Sequence, residues 1–122
     1  MPKTIMIIDD SATLRQVVVV TLKKAGYDVI EATDGKDALS KLTGQKINLI
    51  ICDVNMPNMD GITFLKELKN KPAYKFTPVI MLTTESQESK KMEGKAAGAK
   101  AWVVKPFKPE QMLAAIEKLI IP

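Results

Sequence analysis

Histidine is absent from this 122-residue chain, and cysteine occurs once. Without histidine there can be no Ser-His-Asp triad, no histidine general base and none of the commonest zinc-site designs. A single cysteine excludes an internal disulfide, which fits the reducing cytoplasm where we expect this protein. Any chemistry must therefore come from carboxylates, lysines, hydroxyls and a hard cation.

Long apolar runs and aromatic residues are also scarce. No stretch approaches the ~20 apolar residues of a membrane span, and the N-terminus leads straight into a predicted strand, so we expect no membrane association. The net charge of +4 comes from lysines scattered among acidic residues, with aromatics at only 5%, which argues against nucleic-acid binding. Length and composition predict a single domain over residues 1–122, without an effector domain.

Short apolar stretches alternate with amphipathic ones along the chain. The predicted strands are 4–8, 27–32, 47–52, 78–84 and 101–105, and the predicted helices begin near residues 11, 34, 60, 87 and 109. This alternation predicts a doubly wound α/β fold. We expect a flavodoxin-like (βα)5 three-layer sandwich with a parallel sheet in the order 2-1-3-4-5.

Two of the predicted helices contain unfavourable residues. The run Val17–Val20 favours a strand locally, because β-branched side chains lose freedom in helices. Apolar spacing favours a helix instead, with an inner face made of Leu14, Val17, Val18, Thr21, Leu22 and Ala25. In the fourth helix, Gly94 costs ~1 kcal/mol relative to alanine, so we expect this helix to be the most adaptable.

Carboxylates follow two of the predicted strands. Asp9 and Asp10 end the first strand, and Asp53 ends the third, which is apolar from Leu49 to Cys52. In the order 2-1-3-4-5 these strands are neighbours at the switch point, so the three carboxylates are expected to meet. Their repulsion requires a proton or a cation, and an all-oxygen site suits Mg²⁺ or Mn²⁺. For the Asp9–Asp10 pair alone, helix capping is an equally good interpretation.

The next two strand ends deliver Thr83 and Lys105 to the same crevice. A carboxylate beside a divalent cation can attack a phosphoryl group and form an aspartyl phosphate. A hydroxyl and an ammonium would stabilise the charge on the phosphoryl oxygens. Alone, Thr83 would be an ordinary strand-end hydroxyl and Lys105 a surface lysine. Together with the carboxylates they predict phosphoryl chemistry at Asp53.

These motifs resemble the receiver domain of two-component response regulators. The resemblance covers the whole chain and rests on Asp9-Asp10, Asp53, Met56–Gly61, Thr83 and Lys105–Phe107. Within that family, the chain most resembles the single-domain chemotaxis regulators. It implies that Asp53 accepts a phosphoryl group from a sensor histidine kinase, without turnover of a separate substrate. The protein would catalyse its own phosphorylation and dephosphorylation.

The resemblance also implies a role for each site residue. Asp10, Asp53 and the backbone carbonyl of Asn55 would bind Mg²⁺, and Asp9 would act through a metal-bound water. Thr83 and Lys105 would contact the phosphoryl group, and the Lys105-Pro106 peptide would be cis.

Two further positions correspond to variable residues that flank the path of the hydrolytic water. Asn55 and Glu85 are polar there, as in fast-resetting chemotaxis regulators, and they are predicted to tune the phosphorylation lifetime. The plainer interpretation is two exposed loop residues.

Trp102 departs from the family pattern, which usually has Tyr or Phe at a position coupled to Thr83. Because indole is larger, we expect its inward rotamer to be hindered, leaving Trp102 on the docking surface. A partly buried edge-strand aromatic is an equally good interpretation. The resemblance places the output surface on the fourth helix, fifth strand and fifth helix. Its basic residues would be Lys90, Lys91, Lys95, Lys100 and Lys108.

The expected target of this surface is an acidic segment of a flagellar motor switch protein, with a phosphatase as a further partner and the protein itself a monomer. A phosphorelay intermediate or a phosphate sink with a non-motor target is the alternative within the same family. A haloacid-dehalogenase-type phosphohydrolase is a weaker rival, because Asn55 replaces the second aspartate that such enzymes use as acid and base.

Overall fold

The computed structural model of the chain describes residues 2–83 and 88–122. For residues 88–91 it describes the backbone alone. The strands within these ranges are β1 (Thr4–Ile8), β2 (Asp28–Ala32), β3 (Leu49–Asp53), β4 (Val79–Thr83) and β5 (Ala101–Val104). The helices are α1 (Ala12–Lys24), α2 (Gly35–Lys41), α3 (Gly61–Lys69), α4 (Glu88–Ala96) and α5 (Pro109–Leu119). The predicted alternation is confirmed.

The strands form one parallel sheet in the order β2-β1-β3-β4-β5. Ile8 lies beside Cys52, Asp53 lies beside Leu82, and Thr83 lies beside Val104. The carboxyl ends of the strands therefore share one edge of the sheet. The chain reverses its direction of winding between β1 and β3, which confirms the predicted flavodoxin-like topology and its switch point.

Both faces of the sheet are covered by helices, which explains why the strands are apolar throughout. In β1, Met6 and Ile8 pack on one face and Ile5 and Ile7 on the other. The first face is covered through Ala38, Phe64, Leu65 and Leu68 of α2 and α3. The second is covered through Val18, Val19, Leu22, Met112 and Ile116 of α1 and α5. The result is the expected three-layer sandwich.

The rotation of α1 differs from the prediction. Val17 was expected to face the core and is 50% exposed, whereas Val19 is 4% exposed. The reason lies one turn earlier, where Arg15 turns towards the sheet and donates from Nη1 to the Asp9 carbonyl at 2.7 Å. With Arg15 on the inner side, Val19 and Leu22 follow it at spacings of four and seven residues and are buried.

The helix ends follow the sequence signals. Gly26 and Gly98 adopt φ of 93° and 108° just after α1 and α4, a backbone region that favours glycine. None of the helices in the described ranges combines the length and the apolar character needed to cross a bilayer.

Two phenylalanines allow a direct test of this core. Phe64 is 0% exposed and Phe76 is 82% exposed. We expect Phe64→Ala to lower the free energy of unfolding by about 3–5 kcal/mol, because it leaves a cavity in the core. The matched Phe76→Ala change should stay within about 0.5 kcal/mol of wild type. Urea unfolding followed by circular dichroism measures both, and similar losses in the two variants would contradict the packing described.

Candidate functional site

Three carboxylates meet at the carboxyl edge of the sheet, as predicted. Asp9, Asp10 and Asp53 each offer an oxygen within 4.8 Å of the others. Asp9 and Asp53 are 0% and 5% exposed, whereas Asp10 is exposed to solvent. The pairing of β1 with β3 brings Asp9 and Asp53 together, because these two strands end side by side.

Lys105 is the positive group that the structure places between the buried carboxylates. Its Nζ lies 3.2 Å from Asp9 Oδ2 and 3.2 Å from Asp53 Oδ1, and its side chain is 14% exposed. Burying a charge is unfavourable unless it is paired. One ammonium cannot neutralise three carboxylates, so this pocket has an excess of negative charge.

The Asp53 carboxyl has an unusual pKa, chiefly because it is buried. Burial raises the pKa of this carboxyl from 3.8 to about 6, Lys105 acts in the opposite direction, and the negative charges of Asp9 and Asp10 add to the increase. Asp53 is therefore harder to ionise than an ordinary aspartate.

The donor set fits a hard cation. Carboxylate oxygens, one of them exposed enough to leave room for water, are the ligands that Mg²⁺ and Mn²⁺ prefer. The cluster is thus able to hold a metal ion. Asn55 lies in the exposed loop two residues after Asp53. Its backbone carbonyl as a further ligand stays a prediction.

Thr83 and Lys105 reach the same edge from β4 and β5. Thr83 is buried at the last position of β4, and the Lys105 amide donates to the Thr83 carbonyl at 2.6 Å. The Lys105-Pro106 peptide is cis, as expected. Backbone pairing therefore holds the predicted hydroxyl and ammonium residues next to each other.

The loop after β3 depends on a close approach at Gly61. The Gly61 amide donates to the Val54 carbonyl at 2.8 Å. A Cβ at Gly61 would collide with the Asp53 carbonyl, so only glycine fits here without displacement. Asp60 begins α3 by accepting from the Thr63 amide at 2.9 Å. These contacts fix the backbone on both sides of the loop that contains Asn55.

Sequence reasoning placed the start of a helix near residue 34 but missed the contacts that support the site from the surrounding elements. Asp34 caps α2 and also accepts from the Asn58 side chain at 2.8 Å, which ties the β3–α3 loop to α2. Asn58 has a φ of 67°, a conformation that asparagine tolerates better than most residues. Arg15 bonds the Asp9 carbonyl and pairs with Glu31 at 3.1 Å. For the contact between Asp34 and Asn58, the signal available in the sequence was an asparagine inside a turn. No local pattern indicates the contacts of Arg15.

Comparison with known proteins identifies the family. Residues 5–117 match the response regulator receiver domain. The chain belongs to this family. It is 46% identical to the chemotaxis protein CheY4 of Vibrio cholerae, with a TM-score of 0.94 over 98% of this chain and 100% of that structure. It is 42% identical to protein PilG of Pseudomonas aeruginosa over 93% of this chain and 84% of PilG.

Receiver domains also occur in longer relatives. The chain is 35% identical over 98% of its length to the alkaline phosphatase synthesis transcriptional regulatory protein PhoP of Bacillus subtilis, but it spans only 49% of that protein. The likeness to CheY4 covers both chains almost completely, so the receiver domain is of the CheY type.

In this receiver domain Trp102 packs inward, so the expectation of a hindered inward rotamer is wrong. The half-buried side chain lies against the core cluster of α2 and α3. A Cβ at Gly94 would lie 2.6 Å from Trp102 Cζ3 and 3.2 Å from Ile62 Cδ1, so the missing side chain of Gly94 makes room for the indole. This is the partly buried edge-strand aromatic of the second interpretation.

The inward indole is not fully satisfied. Trp102 Nε1 is buried and has no hydrogen-bond partner among the described residues. An unpaired buried N–H costs about 1–3 kcal/mol, which opposes the gain from burying the ring. Of the two residues predicted to tune lifetime, Asn55 is exposed and Glu85 lies outside the described residues.

The Gly94 slot can be tested through the single tryptophan of the chain. We expect Gly94→Val to displace the indole, because the added side chain occupies its position, and so to shift tryptophan emission to longer wavelength. The matched control is Ala96→Val on the exposed side of the same helix, which should leave the emission unchanged. Equal spectra for wild type and Gly94→Val would contradict the steric fit.

The raised pKa of Asp53 predicts a pH-dependent stability. Since the folded protein resists ionisation of Asp53, the metal-free protein should lose stability as the pH rises from about 4 to above 6. Asp53→Asn removes that loss, so over this pH range its free energy of unfolding should rise by about 1–3 kcal/mol relative to that of wild type. Urea unfolding in EDTA measures the difference. A constant difference between the two proteins at all pH values would contradict this origin.

Proposed function

We propose that this receiver domain is a stand-alone phospho-acceptor that takes a phosphoryl group from a sensor histidine kinase onto Asp53. The observation that carries the proposal is the position of Asp53. Its carboxylate is nearly buried, paired with Lys105 at 3.2 Å, and within 4.8 Å of two further carboxylates. A buried carboxylate beside a cation site and an ammonium is the arrangement that phosphoryl transfer to aspartate requires.

Each residue of the site has a distinct role in this proposal. An Asp53 carboxylate oxygen attacks phosphorus, the phosphorus–nitrogen bond to the kinase histidine breaks, and the imidazole takes up a proton. Lys105 transfers its ion pair from the carboxylate to a phosphoryl oxygen, and the Thr83 hydroxyl donates to another. Asp10, Asp53 and the Asn55 carbonyl would hold Mg²⁺, with Asp9 acting through water, and the bound ion would supply positive charge against the charge that accumulates there. The protein catalyses this step, and later the hydrolysis, on itself.

The proposed signal is chemotactic and acts on the flagellar motor switch. The likeness to the chemotaxis protein CheY4 supports it. So does a cavity of about 160 Å³ between α4 and β5, which is lined by Lys95, Lys100 and Trp102. An apolar recess with a basic rim suits an acidic amphipathic segment of a partner. Lys108 is also exposed, whereas the side chains of Lys90 and Lys91 lie outside the described residues.

Trp102 provides a route from the phosphoryl group to that surface. Burial of its ring favours the inward position, and Nε1, which has no partner among the described residues, opposes it. In this proposal, a shift of Thr83 on phosphorylation changes the balance between these two effects. A partner then meets a different surface in the two states.

Phosphorylation can be tested without the kinase. Incubation with acetyl phosphate and Mg²⁺ should add one phosphoryl group to wild type, detected by intact mass, and none to Asp53→Asn. Lys105→Ala should slow the reaction by about 100-fold, because a charge-stabilising donor is lost. Lys108→Ala, three residues away and exposed, is the matched control and should react like wild type. Normal phosphorylation of Asp53→Asn would refute the acceptor assignment.

The target can be tested with a stable mimic of the phosphorylated state. With beryllofluoride and Mg²⁺, wild type should bind an N-terminal peptide of a motor switch protein more tightly than without them, and Asp53→Asn should show no such gain. Fluorescence anisotropy measures the affinity. Transfer of the phosphoryl group to a histidine phosphotransfer protein, with no mimic-dependent gain in peptide binding, would favour the phosphorelay alternative.

A further inference from the structure

The edge of the sheet where the strands begin carries charge opposite to that of the phosphorylation edge. The segments that lead into β1, β3 and β4 contain Lys3, Lys46, Lys71 and Lys75, and Asp28 at the start of β2 is an acidic residue beside Lys3 and Lys46. The other edge carries the three clustered carboxylates. An acidic partner segment is therefore attracted to the first edge and repelled from the second.

A cleft opens at this basic edge. It has a volume of about 360 Å³ and lies between the loops that precede β3 and β4, beside the end of the chain. Lys46, Ile47, Phe76 and Ile121 are among the residues that line it, and no acidic residue of the described chain does so. Its size falls in the range of small ligand-binding clefts. We define the basal cleft by these four lining residues.

Phe76 is the unusual residue of the basal cleft. Its side chain is 82% exposed, and Lys75 Nζ lies 5.7 Å from the centre of its ring. The loop is held in place, because the Lys69 ammonium donates to the carbonyls of Lys75 and Thr77 at 3.0 and 2.8 Å. The exposure of Phe76 is thus built into an anchored backbone.

The other walls of the basal cleft are also fixed by hydrogen bonds. The buried Tyr74 hydroxyl donates to the Gln45 carbonyl and accepts from the Gly44 amide, both at 2.9 Å, which joins the two loops. The Asn48 side chain donates to the Ile121 carbonyl at 3.0 Å and holds the end of the chain. A preformed recess binds a partner at a lower entropic cost than a mobile one.

We propose that the basal cleft is a second docking site, which binds an acidic protein segment independently of phosphorylation. An apolar side chain of the segment enters the cleft beside Phe76, and flanking carboxylates pair with Lys46 and Lys75. An exposed aromatic next to a recess is the kind of anchor that dominates protein interfaces. The basic rim then selects an acidic segment.

A protein segment explains these features better than a lipid surface or a nucleic acid does. Membrane-surface elements present a continuous apolar face, whereas Phe76 is the one large apolar side chain that is exposed at this edge in the described chain. Nucleic-acid sites need a basic groove with several stacking aromatics. The basal cleft instead offers one recess and one aromatic.

The proposal is tested by titrating the isotope-labelled protein with a short peptide in which glutamates flank one leucine. We expect amide shifts at residues 44–47 and 76, an affinity that falls with salt, and the same affinity with and without beryllofluoride and Mg²⁺. Phe76→Ala should weaken binding by about tenfold or more. Lys46→Glu should also weaken it. Val17→Ala and Lys36→Glu, exposed changes elsewhere, are the matched controls and should leave the affinity unchanged.

Three outcomes would overturn the proposal. The first is a set of shifts confined to α4, β5 and α5, and the second is an affinity that Phe76→Ala leaves unchanged. The third is binding of phosphatidylglycerol vesicles or duplex DNA that depends on Phe76 while the peptide does not bind. Because the titration needs no phosphoryl group, its result is separate from that of the phosphorylation test.

Discussion

The excess of negative charge at the carboxyl edge of the sheet is the constraint on which the rest of the structure depends. Asp9 and Asp53 are nearly removed from solvent, and Lys105 is the ammonium that lies between them. Such a group of charges is stable only while the surrounding apolar strands and helices compensate for the cost of burying it. Because burying these negative charges is costly, the pocket favours the binding of a cation. In the proposed function it also favours transfer of a phosphoryl group onto Asp53, which redistributes the charge.

The geometry of that pocket is held largely by contacts that do not involve the reactive groups. Arg15 holds the Asp9 carbonyl, and the Asp34–Asn58 pair holds the loop after β3. Gly61 allows that loop to pass close to the backbone of Asp53. These supports bond to backbone or to each other and do not involve the Asp53 carboxylate.

A different kind of contact joins α4 to β5. Gly94 weakens α4 and at the same time provides the space that Trp102 occupies. The indole gains apolar contacts there but leaves its N–H unpaired among the described residues. The carboxylate cluster therefore lies near an indole whose packing combines a favourable and an unfavourable contribution, as the proposed switch requires. The basal cleft, whose walls are anchored by hydrogen bonds, lies at the opposite edge.

The sequence by itself determined the order of the strands and the residues of the site. Apolar strands that each end in Asp9, Asp53, Thr83 or Lys105 leave little choice of topology, because parallel strands place their carboxyl ends together. Only the tertiary structure decided the rotation of α1, the inward position of Trp102 and the exposure of Phe76. Periodicity records which residues are apolar. It does not record that Arg15 reaches Asp9, or that Gly94 lies opposite an indole, since those distances arise from packing between elements far apart in the chain.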